Sequence, residues 1–146
     1  MNGEPIVILL VEDDDGHAAL VRMNFEESKL ANTLIRVCDG EQALDYLYRR
    51  NAFSDPAKSP RPGIVLLDLR MPKVDGLTVL KTIKSDANLA RIPVVILTTS
   101  EVDMDIAKAY DFHANSYLVK PVDFSKFTEL MKTMDFYWLA WNQRPR

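Results

Sequence analysis

The sequence predicts an α/β fold in which a parallel β-sheet is covered by helices on both faces. Apolar runs at residues 6–11, 64–67 and 92–97 show no polar alternation, which is typical of strands buried on both faces. Segments with apolar residues at helical spacing separate these runs. Such alternation favours a parallel sheet, because right-handed crossovers return each new strand beside the others.

Length and composition are typical of a single globular domain. The chain has 146 residues, of which 47% are hydrophobic and 27% are charged, so it can bury a sizeable core. We expect one domain over residues 1–146. The net charge of −3 gives no indication of a basic surface for nucleic acid.

The sequence gives no indication of a membrane partner or of an oxidising compartment. The first apolar run, residues 6–11, is too short for a signal peptide or a membrane span. Cys38 is the single cysteine, so no intrachain disulfide can form, which fits a reducing compartment. We therefore expect a cytoplasmic protein.

The first predicted strand, residues 6–11, ends in a run of four acidic residues. Asp14 or Asp15 can cap the helix that follows it. After this helix, a strand over residues 34–38 is partly polar, as expected for a strand near the edge of a sheet.

The second predicted helix is followed by an unusually long connection. Asp39 and Gln42 have the spacing of a capping box at the start of this helix. Residues 51–63 then contain three prolines and little periodicity, and exceed the usual loop length of about four to six residues. We interpret them as a surface insertion, with a partner surface as the alternative.

The rest of the chain continues the alternation after the strand at 64–68. The remaining predicted elements are a helix opened near Gly76, a strand over 92–97, a helix from Ser100 to about 110, a strand over 116–119 and a final helix capped by Asp123. Five strands and five helices fit a flavodoxin-like, doubly wound sheet of order 2-1-3-4-5. Its topological switch point lies between the first and third strands.

Chemically capable side chains stand at the carboxyl ends of four predicted strands. In chain order they are Glu12 with Asp13, then Asp68, Thr98 and Lys120. Because the carboxyl ends of parallel strands meet at one edge, where open α/β folds bind ligands, we expect these residues to lie together. Each alone has an ordinary explanation as a helix start or turn residue, but their joint position favours a functional site.

The predicted cluster suits phosphoryl transfer onto an aspartate. Three neighbouring carboxylates repel one another unless a proton or a cation intervenes. Mg²⁺ prefers oxygen ligands and binds through carboxylates, waters and phosphate oxygens. A carboxylate beside Mg²⁺ can attack phosphorus, Mg²⁺ and a lysine can supply the charge neutralisation that the transfer needs, and the hydroxyl of Thr98 can donate to the phosphoryl oxygens.

The same residues resemble the motifs of the response regulator receiver family of two-component signalling. The matching segments are Val11-Glu12-Asp13-Asp14, Leu67-Asp68-Leu69-Arg70-Met71-Pro72, Asp75-Gly76, Leu97-Thr98-Thr99, Ser116-Tyr117 and Lys120-Pro121. The resemblance extends over essentially the whole chain.

By that resemblance, Asp68 accepts a phosphoryl group from a histidine kinase in a Mg²⁺-dependent reaction. The resemblance implies that Asp13, Asp68 and the backbone carbonyl of Arg70 bind Mg²⁺ directly, with Glu12 acting through water. It also implies that the chain is a phosphoacceptor signalling protein and not an enzyme. Such a protein catalyses only its own phosphorylation and dephosphorylation.

The resemblance further implies the residues that respond to phosphorylation. Lys120 would pair with the phosphoryl group, while Thr98 and Tyr117 would act as switch residues. The chain departs from the family pattern at His113, where such receivers usually carry a glycine that ends the fourth helix. Histidine tolerates the left-handed conformation of that cap less well, which affects the loop and not the chemistry.

The carboxyl-terminal segment carries an apolar stripe at helical spacing. Its members are Phe124, Phe127, Met131, Met134, Trp138 and Trp141. A helix over 124–141 would be about 27 Å long, whereas strands are about 17–20 Å long. We therefore expect an aromatic tail over about 136–146 that forms a homodimer interface, with packing on its own domain as the alternative.

The tail and the 51–63 insertion together resemble stand-alone response regulators that pair with bacterial and cyanobacterial phytochromes and tend to be dimers. This resemblance implies a histidine kinase partner, with a bacteriophytochrome as the candidate. We also expect output through protein contacts. The cognate kinase, its signal and the downstream target are not specified by the sequence.

Four other functions are compatible with the predicted fold. A phosphorelay intermediate and a phosphate-independent receiver-like scaffold are the alternatives within signalling. An aspartyl-phosphate phosphohydrolase would require a second acid two residues after the nucleophile, where Arg70 stands. A flavin-binding carrier would require a phosphate-binding loop after the first strand, where the acidic run at 12–15 would repel a phosphate.

Overall fold

A computed structural model describes residues 6–27, 32–69, 71, 73–98, 116–120 and 125–126. Its five strands form one parallel sheet of order β2-β1-β3-β4-β5. The strands are β1 Ile6–Val11, β2 Asn32–Val37, β3 Ile64–Asp68, β4 Val94–Thr98 and β5 Ser116–Val119. The predicted fold class and strand order are confirmed.

The described helices follow the first three strands. They are α1 Asp15–Glu27, α2 Gly40–Tyr48 and α3 Gly76–Ser85. An aspartate caps each of them, since Asp14, Asp39 and Asp75 accept hydrogen bonds from backbone N–H groups of the first turn. None of the helices in the described part of the chain has the length and hydropathy that crossing a membrane requires.

Several predictions fall on residues that the structure does not describe. These are the helix after β4, His113, Arg70 and the aromatic tail. Of the predicted final helix, only residues 125–126 are described, and they are helical.

The core lies on both faces of the sheet, as the uninterrupted apolar strands predict. Alternate residues of β1 lie on opposite faces of the sheet. Leu9 and Val11 pack with α2 and α3, whereas Ile8 and Leu10 pack with α1. All five residues of β3 and all five of β4 are buried. The central strands are therefore covered on both sides. Reactive side chains on these strands can reach solvent or a ligand only at the strand ends.

The connection at 51–63 is more ordered than its sequence indicates. It contains 3₁₀ turns at Asn51–Phe53 and Pro56–Lys58. The buried hydroxyl of Ser59 donates to the backbone carbonyls of Phe53 and Asp55, at 3.0 and 3.1 Å. These turns were not predicted from the sequence, because hydrogen bonds of this kind leave no trace in hydrophobic periodicity.

One predicted strand boundary and one predicted helix cap also require correction. β2 begins at Asn32 and not at Leu34, because the backbone of Asn32 pairs in register with Ile6. At the start of α2, the side chain of Gln42 accepts from the N–H of Cys38 at 2.7 Å and not from that of the cap residue, as a capping box would require.

Candidate functional site

Three acidic side chains meet at the carboxyl ends of β1 and β3. One carboxylate oxygen from each of Glu12, Asp13 and Asp68 lies within 4.8 Å of the other two. Glu12 and Asp68 are buried, at 0% and 4% exposure, whereas Asp13 is exposed. The predicted convergence of these residues is present in the structure, and the cluster opens to solvent on the side of Asp13.

Lys120, which directly follows β5, lies between the two buried acids. Its Nζ donates to Oε2 of Glu12 at 2.9 Å and to Oδ2 of Asp68 at 3.1 Å. Burial alone would lower the pKa of Lys120, but the two carboxylates raise it above its ordinary value. The ammonium group is therefore held charged, and it neutralises part of the buried negative charge.

Glu12 accepts hydrogen bonds at both carboxylate oxygens. Oε1 lies 2.7 Å from Nδ1 of His17, and Oε2 accepts from Lys120 and from the N–H of Asp14 at 3.1 Å. Burial alone would raise the pKa of Glu12, but these partners lower it from 4.5 to about 2. Glu12 is thus an ionised carboxylate at neutral pH despite its complete burial.

Sequence reasoning missed His17, because a histidine in the first turn of an amphipathic helix is ordinarily interpreted as a surface residue. Its side chain is only 7% exposed. The five-residue separation between Glu12 and His17 spans a strand end, a cap and a helix start, so no helical or strand periodicity relates them. Only the path of the loop from β1 to α1 brings them together.

Arg36 is a second residue that sequence reasoning missed. It lies on β2, where its Nε donates to the backbone carbonyl of Glu12 at 2.9 Å and its Nη1 to Oδ1 of Asp15 at 2.8 Å. Its Nη2 is buried and has no hydrogen-bond partner among the residues that the structure describes. The arginine therefore links the acidic segment 12–15 to the edge strand β2. In the sequence, only the partly polar character of β2 indicated a polar contact there.

Close backbone packing positions the loop that follows Asp68. A side chain at Gly76 would collide with the backbone of Asp68 and Leu69, and one at Gly40 would collide with the backbone of Val74. The N–H of Gly76 donates to the carbonyl of Leu69 at 3.1 Å, which closes the turn. These contacts require glycine for its small size, and they hold the loop against the end of β3 and the start of α2.

Thr98 and Tyr117 take the places in the sheet that the sequence predicts. Thr98 ends β4 and is buried, and its backbone carbonyl accepts from the N–H of Lys120 at 2.8 Å. Tyr117 lies in β5, in register with Ile96. The backbone of β4 therefore positions Lys120 beside the acidic cluster.

The sequence matches the model of the response regulator receiver domain over residues 8–132. The chain belongs to this family. Its curated relatives include the probable methanogenesis regulatory protein FilR2 of Methanothrix harundinacea, which is 44% identical over 97% of this chain and 89% of that protein. They also include the response regulator Rcp1 of Synechocystis sp., 38% identical over 92% of this chain and 90% of Rcp1.

Solved structures of response regulators share the fold. The bacteriophytochrome response regulator RtBRR has a TM-score of 0.85 and 42% identity, covering 97% of this chain and 84% of that chain. The Mn²⁺-bound form of Rcp1 has a TM-score of 0.75 and 37% identity over 97% of this chain and 100% of that chain. The phosphorylated cyanobacterial phytochrome response regulator RcpA has a TM-score of 0.74 and 38% identity over 92% and 94%. The expected resemblance to phytochrome-linked response regulators is confirmed.

Proposed function

We propose that Asp68 of this chain accepts a phosphoryl group from a histidine kinase in a Mg²⁺-dependent reaction, and that the phosphorylated form signals through protein contacts. The observation that carries the proposal is the position of Asp68, within 4.8 Å of two further carboxylates and 3.1 Å from the ammonium of Lys120. Phosphoryl transfer depends mainly on such positioning and charge neutralisation.

The acidic cluster fits a hard divalent cation. Its donors are carboxylate oxygens, the ligands that Mg²⁺ prefers, and the structure of Mn²⁺-bound Rcp1 supports a divalent site in a relative. We assign Asp13, Asp68 and the backbone carbonyl of Arg70 as direct ligands. Both oxygens of Glu12 already accept hydrogen bonds from the protein, which favours a role for Glu12 through water. A bound Mg²⁺ would supply charge neutralisation for the incoming phosphoryl group.

In the proposed step, a carboxylate oxygen of Asp68 forms a bond to phosphorus. The bond between phosphorus and the phosphohistidine nitrogen breaks, and its electron pair stays on the imidazole of the kinase. Lys120 would then pair with a phosphoryl oxygen, and Thr98 and Tyr117 would rearrange as switch residues. The relative RcpA has been solved in a phosphorylated form, which supports phosphorylation of this chain.

We infer that the chain is a signalling protein whose chemistry is confined to its own aspartate. A phosphohydrolase would require an acid at the position of Arg70. The similarity to the bacteriophytochrome response regulator RtBRR supports a bacteriophytochrome as the kinase partner. We further propose that the chain forms a homodimer through the aromatic tail at about 136–146. Residues 1–146 would form one receiver domain, and the protein would be cytoplasmic.

The phosphoacceptor is tested by following intact mass after incubation with Mg²⁺ and acetyl phosphate. We expect one phosphate adduct on the parent, none on Asp68→Asn and none when EDTA replaces Mg²⁺. Asp55→Asn is the matched control, because Asp55 is an exposed cap in the 51–63 connection and asparagine can also cap there. A parent without an adduct, or an equal adduct on Asp68→Asn, contradicts the proposal.

The partner and the dimer are tested separately. A phosphorylated bacteriophytochrome kinase should transfer its label to the parent faster than an unrelated histidine kinase does, and equal rates would contradict the pairing. Light scattering should show a dimer for the full chain and a monomer for a chain truncated before Phe136. A full-length chain that is monomeric at high concentration contradicts the dimer.

A further inference from the structure

Glu12 is bound from two sides by two side chains that lie far from each other in the sequence. Its Oε1 faces Nδ1 of His17 at 2.7 Å and its Oε2 faces Nζ of Lys120 at 2.9 Å. Lys120 also donates to Asp68, at 3.1 Å. A continuous series of short contacts therefore runs from His17 through Glu12 and Lys120 to the proposed phosphoacceptor.

The chemistry of the contact defines the state of the histidine ring. An ionised carboxylate can only accept hydrogen bonds, so Nδ1 of His17 carries the hydrogen and donates it to Glu12. The backbone of His17 is held as well, because its N–H and that of Gly16 donate to Oδ1 of Asp14, at 3.2 and 2.8 Å. With its side chain only 7% exposed, the donor is fixed in direction.

The loss of this donor would affect the other oxygen of Glu12. Oε1 of a fully buried carboxylate would lack its partner, which costs free energy that the side chain can recover only by rotating toward other cations. Among the described residues, Lys120 is such a cation, and a metal bound by Asp13 and Asp68 would be another. Either movement changes the position of Lys120 relative to Asp68.

We propose that His17 is a positioning residue of the receiver site: by holding Oε1 of Glu12, it leaves Oε2 to fix Lys120 against Asp68 and keeps Glu12 outside the direct ligands of the metal. This inference rests on the proposed function. In this arrangement His17 contacts the carboxylate of Glu12. It acts through Glu12, as partners of metal-site carboxylates commonly do.

Three substitutions separate donation from packing. The amide nitrogen of His17→Asn is bonded to Cγ, as Nδ1 of histidine is, so this variant can keep the donor. The amide nitrogen of His17→Gln lies one bond further out, and His17→Leu has no donor. Ala19→Leu is the matched control, because Ala19 is an exposed residue early in the same helix.

The readouts are Mg²⁺ affinity by calorimetry, the NMR signal of the Lys120 ammonium group without metal, and the rate of phosphorylation by acetyl phosphate. We expect His17→Leu and His17→Gln to lose about 10–100-fold in Mg²⁺ affinity or rate. Both should shift or broaden the Lys120 signal. His17→Asn and Ala19→Leu should stay close to the parent in all three.

Each result supports or overturns the inference independently of the proposed function. If the parent binds no Mg²⁺ and forms no adduct, the proposed function fails, and the Lys120 signal alone decides whether His17 positions Glu12. If the parent is phosphorylated but His17→Leu behaves like Ala19→Leu, the inference is overturned. It is also overturned if His17→Asn loses as much as His17→Leu. If His17→Leu fails to fold, the comparison of His17→Asn with His17→Gln decides whether the inference holds: it is overturned if the two variants behave alike.

Discussion

Replacing Glu12 with glutamine should remove much of the acid sensitivity of the folded chain. The contacts of Glu12 with His17 and Lys120 outweigh its burial and lower its pKa from 4.5 to about 2. Because the folded state binds the proton less tightly than the unfolded state, the carboxylate form favours folding. This contribution is complete above pH 4.5 and is lost as the pH falls toward 2.

The expected magnitude follows from the difference between the two pKa values. At about 1.36 kcal/mol for each pKa unit, the ionised carboxylate contributes about 3 kcal/mol to the free energy of unfolding. About 2 kcal/mol of this is lost between pH 5.5 and pH 3. Glu12 is fully buried, so that solvent screens its contacts far less than those of a surface pair.

The assay is urea unfolding in EDTA at pH 5.5 and at pH 3, on the parent, Glu12→Gln and Glu26→Gln. Glu26 is an exposed acid on α1 and serves as the matched control. Between the two pH values, the parent and Glu26→Gln should lose about 2 kcal/mol more than Glu12→Gln does. An equal loss in all three proteins would show that the contacts of Glu12 do not stabilise its charge.

Three further predictions concern residues that position the site or its surroundings. Gly76→Ala should lose about 1–3 kcal/mol of stability in urea unfolding, since its methyl group would collide with the backbone of Asp68; a neutral result would mean that the loop has room to move. Ser59→Ala should lose about 1 kcal/mol and speed hydrogen exchange at 51–58, because its hydroxyl donates to two backbone carbonyls; unchanged exchange would contradict this. Arg36→Met should weaken Mg²⁺ binding in calorimetry, because it frees the acidic loop from β2; parent-like affinity would show that the loop holds its shape alone.

The strands and the acidic cluster were predictable because both follow from short-range patterns. Continuous apolar runs identify strands that are buried on both faces, and β3 and β4 are completely buried in the structure. A parallel sheet places all carboxyl ends at one edge. The identity of the residue that ends each strand therefore sufficed to predict the meeting of Glu12, Asp13 and Asp68.

The contacts that position these acids were not predictable in the same way. Lys120 was expected at this edge, but not as a donor shared by Glu12 and Asp68. Arg36, which is 24 residues from Glu12, was not expected there. Hydrophobic periodicity predicts on which face of a helix or strand a residue lies, but it does not predict which hydrogen-bond donor from another element that residue contacts. The order within the 51–63 connection was missed for the same reason, since it depends on the Ser59 hydroxyl and on the donation of the Tyr46 hydroxyl to the carbonyl of Pro60 at 2.7 Å.

Three features follow from local sequence pattern and chain handedness: the alternation of strands and helices, the strand order and the set of groups available at the carboxyl edge. How the charges are shared at that edge follows from tertiary contacts. The tertiary structure assigns one oxygen of Glu12 to His17 and the other to Lys120. Such assignments depend on the distances and directions of hydrogen bonds between segments, which exist only after the helices have packed on the sheet.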